Sequence, residues 1–324
     1  MAVEMGTAAN YLDLLDKLRI FATTNAALVA AGQQWVTKRW TQNDDNSELI
    51  LCGPGLAGAD AVYVGVQSYK DSTNDFYNWR LQGFTGYNAE ASFHNQPGAI
   101  NDSLYPVPKI LLWNSNISYW FVASGRRIVV VAKVSTVYEA CYLGLAKPYG
   151  SPSQIPYPLI VGGSASLILN IAVQRWSTQT VDHRHFADPG MYTTSEASGL
   201  HNGSLRVLNG VWLGFRNWHY SNYTQDGKNP STFRMVWPYM DTIDYSFGMQ
   251  ENREALGGNY PLLPLILLEY DPGHNVFGEL DGCFAVSGHD NAAENIVTSD
   301  GFDHLVVQNV FRTTRANYWA LRLA

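Results

Sequence analysis

The chain has 324 residues, enough for one large domain or two ordinary ones with a real interior. Its net charge of −7 and sparse arginines speak against non-specific binding to nucleic acid, which needs clustered Lys and Arg. No continuous apolar window is long enough for a membrane-spanning helix, and the first residues carry neither the basic nor the apolar segment of a secretory signal. Charged residues make up 15%, below the usual quarter or so, while aromatics reach 13%, with 19 Tyr and 10 Trp. Those rings suit strands, and they also dominate protein–protein contacts, so composition fits an assembly subunit and a β-rich monomer equally well. Cys52, Cys141 and Cys283 stand alone, with no CxxC pair, and read as three buried, reduced thiols of a protein made in a cytoplasm, an inter-subunit disulfide in an assembled particle being the alternative.

Residues 7–40 read as a helical arm. Asn10 is placed to cap it and Asp13 to complement the helix dipole, and Tyr11, Leu14, Leu15, Leu18 and Phe21 form one apolar stripe. Asn25 can cap a second short helix that ends near Gly32. The stripe predicts packing on a sheet or on a neighbouring subunit. Short strands follow over 49–52, 61–69 and 77–81, separated by turns, and 84–105 reads as an extended surface loop.

Residues 117–163 are the densest aromatic and β-branched part of the chain. Two runs, 117–122 and 126–134, flank Ala123-Ser124-Gly125 as a hairpin would. The segment 128–134, IVVVAKV, shows no polar alternation before Lys133, which predicts a central strand buried on both faces. A further strand is expected over 138–145. Pro148, Pro152, Pro156 and Pro158 then hold an extended path that carries Tyr149 and Tyr157. Residues 167–176 could be helix or strand and 178–203 is polar. Strands resume over 205–215, 232–237, 262–270, 283–287, 305–311 and 318–323. No fixed-period repeat is present. The expected organisation is a helical arm over 1–40, a first β-rich region over 41–177 and a second over 178–324, the last two either separate or continuous. The fold class expected is α+β, predominantly antiparallel β-sheet and sandwich-like, with an N-terminal amphipathic helical arm.

Asp182-His183-Arg184-His185 with Asp188 is the one metal-like cluster. On a strand His183 and His185 would share a face, and a third ligand such as His201 or His219 would be required. The flanks read as a surface loop, so hydrogen-bonded loop residues are the favoured reading, and no metal or cofactor is expected. There is no GxSxG elbow. Gly53-Pro54-Gly55 lacks the ending of a phosphate loop and reads as a turn, and Gly162-Gly163-Ser164 reads as a strand exit. Glu269, Asp271, Glu279 and Asp281 are carboxylates of the type sugar hydrolysis uses, but they border turns. Trp212, Trp218, Tyr220 and Tyr223 could form a stacking platform for a glycan, or fill a core or an interface.

The segment YWFVASGRRIVVVAKVSTVYEACYLGLAKPYGSPSQIPYPLIVGG resembles one that recurs in structural proteins of tailed bacteriophages and prophages, encoded among tail and neck genes of contractile-tailed phages. NYLDLLDKLRIFATTNAALVAAGQQW, YVGVQSYKDSTNDFYNWRLQGFTGYN, GELDGCFAVSGHDNAAENIV and LVVQNVFRTTRANYWALRL extend the likeness over nearly the whole chain. The resemblance implies a virion structural protein, not an enzyme, made in the bacterial host cytoplasm. It would assemble as a symmetric homo-oligomer, a ring or collar, with other tail, neck or baseplate proteins as partners. No catalytic residues come with it. The residues expected at partner contacts are Tyr149, Tyr157, Trp218, Tyr220 and Tyr223, together with Tyr11, Leu14, Leu18 and Phe21 of the arm. A receptor- or glycan-binding tail component is the alternative, and a glycan depolymerase or metal hydrolase the third reading.

Overall fold

The computed structural model describes residues 1–43, 46–100, 107–165, 175–179, 183–186, 188, 203–206, 212–214, 234–238, 252–269 and 275–323. The chain opens with strand β1 (Ala2–Ala8), then helices α1 (Tyr11–Thr24) and α2 (Ala26–Ala30). Asn10 Oδ1 accepts from the backbone N–H groups of Leu12 and Asp13, which satisfies donors that a helix start leaves open. Asn25 ends α1 and caps α2 through Ala27 N–H. The stripe Tyr11, Leu14, Leu15, Leu18, Phe21 is buried, and each leucine taken from water contributes roughly 1.5–3 kcal/mol. Residues 1–40 are not helical throughout. The helices occupy only their middle, and β1 and β2 (Val36–Thr41) flank them. Pairing with residues 117–123 fixes β1, which the local pattern does not carry, and pairing with residues 48–52 fixes β2.

The first outer sheet runs in the order β2, β3 (Glu48–Gly53), β4 (Val62–Asp71), β5 (Phe76–Phe84), β6 (Lys109–Leu112). The inner sheet takes β1, β7 (Ile117–Ser124), β8 (Arg127–Val134), β9 (Val137–Leu145), β11 (Leu159–Gly162), β12 (Gly203–Arg206) and β13 (Trp212–Gly214) in that order. Between β9 and β11 lies the two-residue β10 (Lys147–Pro148). The second outer sheet is ordered β14 (Arg234–Trp237), β15 (Leu263–Glu269), β16 (Asn275–Val286), β19 (Tyr318–Arg322), β18 (Phe302–Gln308), β17 (Ile296–Ser299), and β10 pairs with β16. All of these pairings are antiparallel.

The side chains of the inner sheet divide by parity between two cores, as a pleated strand requires. Phe121, Ile128, Val130, Ala132, Cys141 and Leu143 pack with α1 and the first outer sheet. Trp120, Val122, Val129, Val131, Tyr138 and Tyr142 pack with Leu267, Leu280, Leu305, Val307 and Trp319 of the second. The molecule is therefore a stack of three sheets with the aromatic segment in the middle, and β8 is buried on both faces as its lack of alternation predicts. The fold class is α+β, mostly antiparallel sheet and sandwich-like. Residues 84–100 are more than a surface loop: Phe93, Tyr87 and Ala99 cover Ile50 and Phe84 on the outside of the first outer sheet.

Candidate functional site

The His-Asp cluster reaches both faces of the inner sheet: His183 meets Glu139 on the face covered by the first outer sheet, and His185 meets Trp319 of the second outer sheet. His183, His185 and Phe186 are fully buried. His183 Nε2 lies 2.6 Å from Glu139 Oε1, and its Nδ1 lies 3.0 Å from the carbonyl of Thr178. Glu139 stands on β9 among apolar neighbours, is fully buried, and accepts a second bond from Leu111 N–H at 3.1 Å. Both ring nitrogens of His183 therefore face acceptors.

His185 enters different surroundings. Its ring stacks on Trp319 with centroids 5.7 Å apart, and its backbone N–H donates to Asn309 Oδ1 at 2.8 Å. Burial pushes its pKa down to about 4. Asn309 also donates to the Asp188 carboxylate, which takes a bond from Arg184 Nη1 at 3.1 Å. Arg312 Nη1 donates to His183 O at 2.6 Å, and Arg184 N–H donates to Ser164 O at 2.9 Å. Residues 183–186 with Asp188 thus act as a pin: their side chains and backbone tie β9, the exit of β11 and the β18–β19 connection together. The two histidines do not share a ligand position, and no group of three or more His, Cys, Asp or Glu among the described residues is placed to hold a metal ion. His201 and His219 lie outside the described residues.

A further polar contact joins the inner and second outer sheets. The Arg127 side chain is 1% exposed, and its Nε donates to Asp281 Oδ2 at 3.1 Å. Burial opposes the guanidinium's charge, but the carboxylate beside it outweighs that and holds its pKa above the ordinary value. Cys283 and Cys141 are buried and free, with thiols pushed up to about 12 by burial, and Cys52 is free and half-buried.

The residues expected at partner contacts fall into three groups. Tyr11, Leu14, Leu18 and Phe21 are at most 2% exposed and belong to the protein's own core, so they offer a partner no surface. Tyr157 is also anchored within the chain. Its hydroxyl accepts from Tyr63 N–H at 3.2 Å and lies 3.0 Å from Ala61 O, and burial raises its pKa to about 12. Tyr149 is 50% exposed, with its hydroxyl donating to Glu279 at 2.7 Å beside the Lys147–Glu279 ion pair. Trp218, Tyr220 and Tyr223 lie outside the described residues. Trp212, the remaining member of the stacking platform, is 4% exposed and its Nε1 donates to Gly98 O. Ser164 Oγ is spent on the backbone of Ala140, and the turn at Gly53 packs against Trp35 and Gly125. Glu279 and Asp281 are held by Lys147 and Arg127, and Asp271 lies outside the described residues.

Sequence reasoning passed over Glu139 and Arg127. Their signal is a charged residue on a largely apolar, doubly covered strand, which has to find a buried partner. Exposed apolar side chains were also missed: Met5 on β1 is 62% exposed, Val36 on β2 53% and Ile296 on β17 50%. Each stands on the end strand of its sheet. No protein-family model and no curated protein matches the chain.

Proposed function

We propose that the chain is a structural subunit of a bacteriophage particle, assembling as a symmetric ring or collar in the tail, neck or baseplate. The observation that carries the assembly part is the set of apolar side chains on the end strands of all three sheets, Met5, Val36 and Ile296. A strand edge with an exposed apolar residue invites pairing, and natural monomers blunt such edges. The phage part is carried by the resemblance of the central aromatic segment and its companions. Contacts between subunits then run through sheet edges and the exposed Tyr149, while the buried stripe of α1 serves the fold. The buried polar groups at the sheet junctions are engaged with one another and serve to lock the layers together.

The test is electron microscopy of intact particles from the phage or prophage that encodes the chain. Density for this three-sheet fold in a ring of repeated copies at the tail, neck or baseplate is expected. Purified particles without the chain would overturn the proposal.

A further inference from the structure

We infer that β1 is a self-pairing edge: two copies of this chain join antiparallel through β1, about a two-fold axis at Met5, to run their inner sheets into one. This pairing rests on backbone geometry, whatever particle the chain belongs to.

The direction of the free backbone groups follows from the neighbouring hairpin. Ser124 and Arg127 pair across the two-residue turn Gly125-Arg126, so these two exchange both backbone hydrogen bonds. Alternation then turns the backbone groups of Ser124, Val122, Trp120 and Ser118 towards β8, and those of Ala123, Phe121, Tyr119 and Ile117 towards β1. Their partners in β1 are Ala2, Glu4, Gly6 and Ala8. The N–H and C=O groups of Val3, Met5 and Thr7 therefore point away from the sheet, and nothing pairs with that edge among the described residues.

The other edges are shorter, interrupted or already bonded, and suit a long ladder less. β2 carries a register shift between Thr37 and Arg39, which leaves Lys38 as an extra residue, with Lys and Arg along the strand. β6 has Lys109 N–H and C=O bonded to Ala165 and Ser164. β17 has four residues and closes at once on a turn, and β13 and β14 have three and four. β1 is different: seven residues in unbroken register, with no proline, lysine or bulge, and with Met5, Gly6 and Thr7 exposed.

The strand is complementary to itself. With Met5 opposite its own copy, the outward-facing groups of Val3, Met5 and Thr7 are spaced symmetrically and meet as bonded pairs. Val3 then faces Thr7, and Glu4 faces Gly6, so no like charges stand directly opposite. Glu4, the only charged residue of the strand, is already held by the Tyr119 hydroxyl at 2.9 Å, and that ring lies over Gly6. This is strand addition at an open sheet edge, with the protein as its own partner.

Sedimentation of the full chain across a concentration series tests the inference. A monomer–dimer equilibrium is expected. Met5→Pro removes an N–H that points outward, so the β1–β7 ladder survives, while pairing should weaken roughly tenfold or more. Met5→Lys sets like charges opposite each other and should act in the same direction without touching the backbone. Circular dichroism and melting temperature report whether each variant keeps its fold. In a Cys52→Ala background, Met5→Cys should be joined to its own copy by a short thiol cross-linker, which checks the register. A protein that stays monomeric throughout overturns the inference, as does a dimer that persists unchanged in a folded Met5→Pro or Met5→Lys variant. Loss of this dimer would leave the β2 and β17 edges for the assembly reading, so the two proposals fail separately.

Discussion

Replacing His183 by alanine should destabilise the protein by about 3–5 kcal/mol, the usual cost of removing one partner of a buried pair. The magnitude follows from what remains. Glu139 is fully buried, and without His183 it keeps only the Leu111 N–H among the bonds described for its carboxylate. Unfolding entropy of about 2.1 cal/mol/K per residue gives roughly 0.7 kcal/mol/K for a chain of this length, so the melting temperature should fall by about 4–7 °C. Glu139→Gln should cost under about 1.5 kcal/mol, because an amide can donate to Nε2 and still accept from Leu111. Removing both groups, as Glu139→Leu with His183→Leu, should be milder than the two single leucine changes summed, with coupling of about 2–3 kcal/mol. Calorimetric or urea unfolding of the four proteins of this cycle measures it. Additive single effects, or a His183→Ala penalty under about 1 kcal/mol, would refute the pin formed by 183–186 and Asp188.

Two further outcomes can be measured on the same protein. His185 has a folded pKa of about 4 against 6.5 unfolded, so the unfolded chain takes up the proton first as pH falls. The stability this histidine contributes is complete above about pH 6.5 and is lost on the way to pH 4, by roughly 3 kcal/mol, and His185→Phe should flatten that part of the pH profile. Titration with a thiol reagent should label Cys52 in the native protein and spare Cys141 and Cys283 until denaturant is added, since burial holds both thiols near 12. Rapid labelling of all three would contradict the closed cores.

What the sequence reveals of this fold is what is local. The cap at Asn10, the stripe on α1, the hairpin at Gly125 and the doubly covered strand 128–134 rest on neighbours a few residues apart, and their patterns are readable. β1 is not readable, since its strand character comes from pairing with residues over a hundred positions away. The same holds for the candidate site. His183 and His185 attract notice as a metal-like pair, yet the partner that defines His183 is Glu139, 44 residues earlier, and the ring beside His185 is Trp319. Alternation within 183–185 is correct for an isolated strand and fails because the segment passes between two sheets. The arm residues illustrate the converse: an amphipathic stripe specifies that a face is covered, but not whether the cover is another subunit or the chain's own sheet.

The parity division of the inner sheet makes that sheet a party wall. β7, β8 and β9 are joined by two-residue turns and depend on contacts close in sequence, so they can form early, while each outer sheet closes later over one exposed face. Neither outer sheet can be cut away without wetting half of the wall's valines and aromatics, so a single unfolding transition is the expected outcome of calorimetry. Damage on either side is felt on the other through a layer only one strand thick.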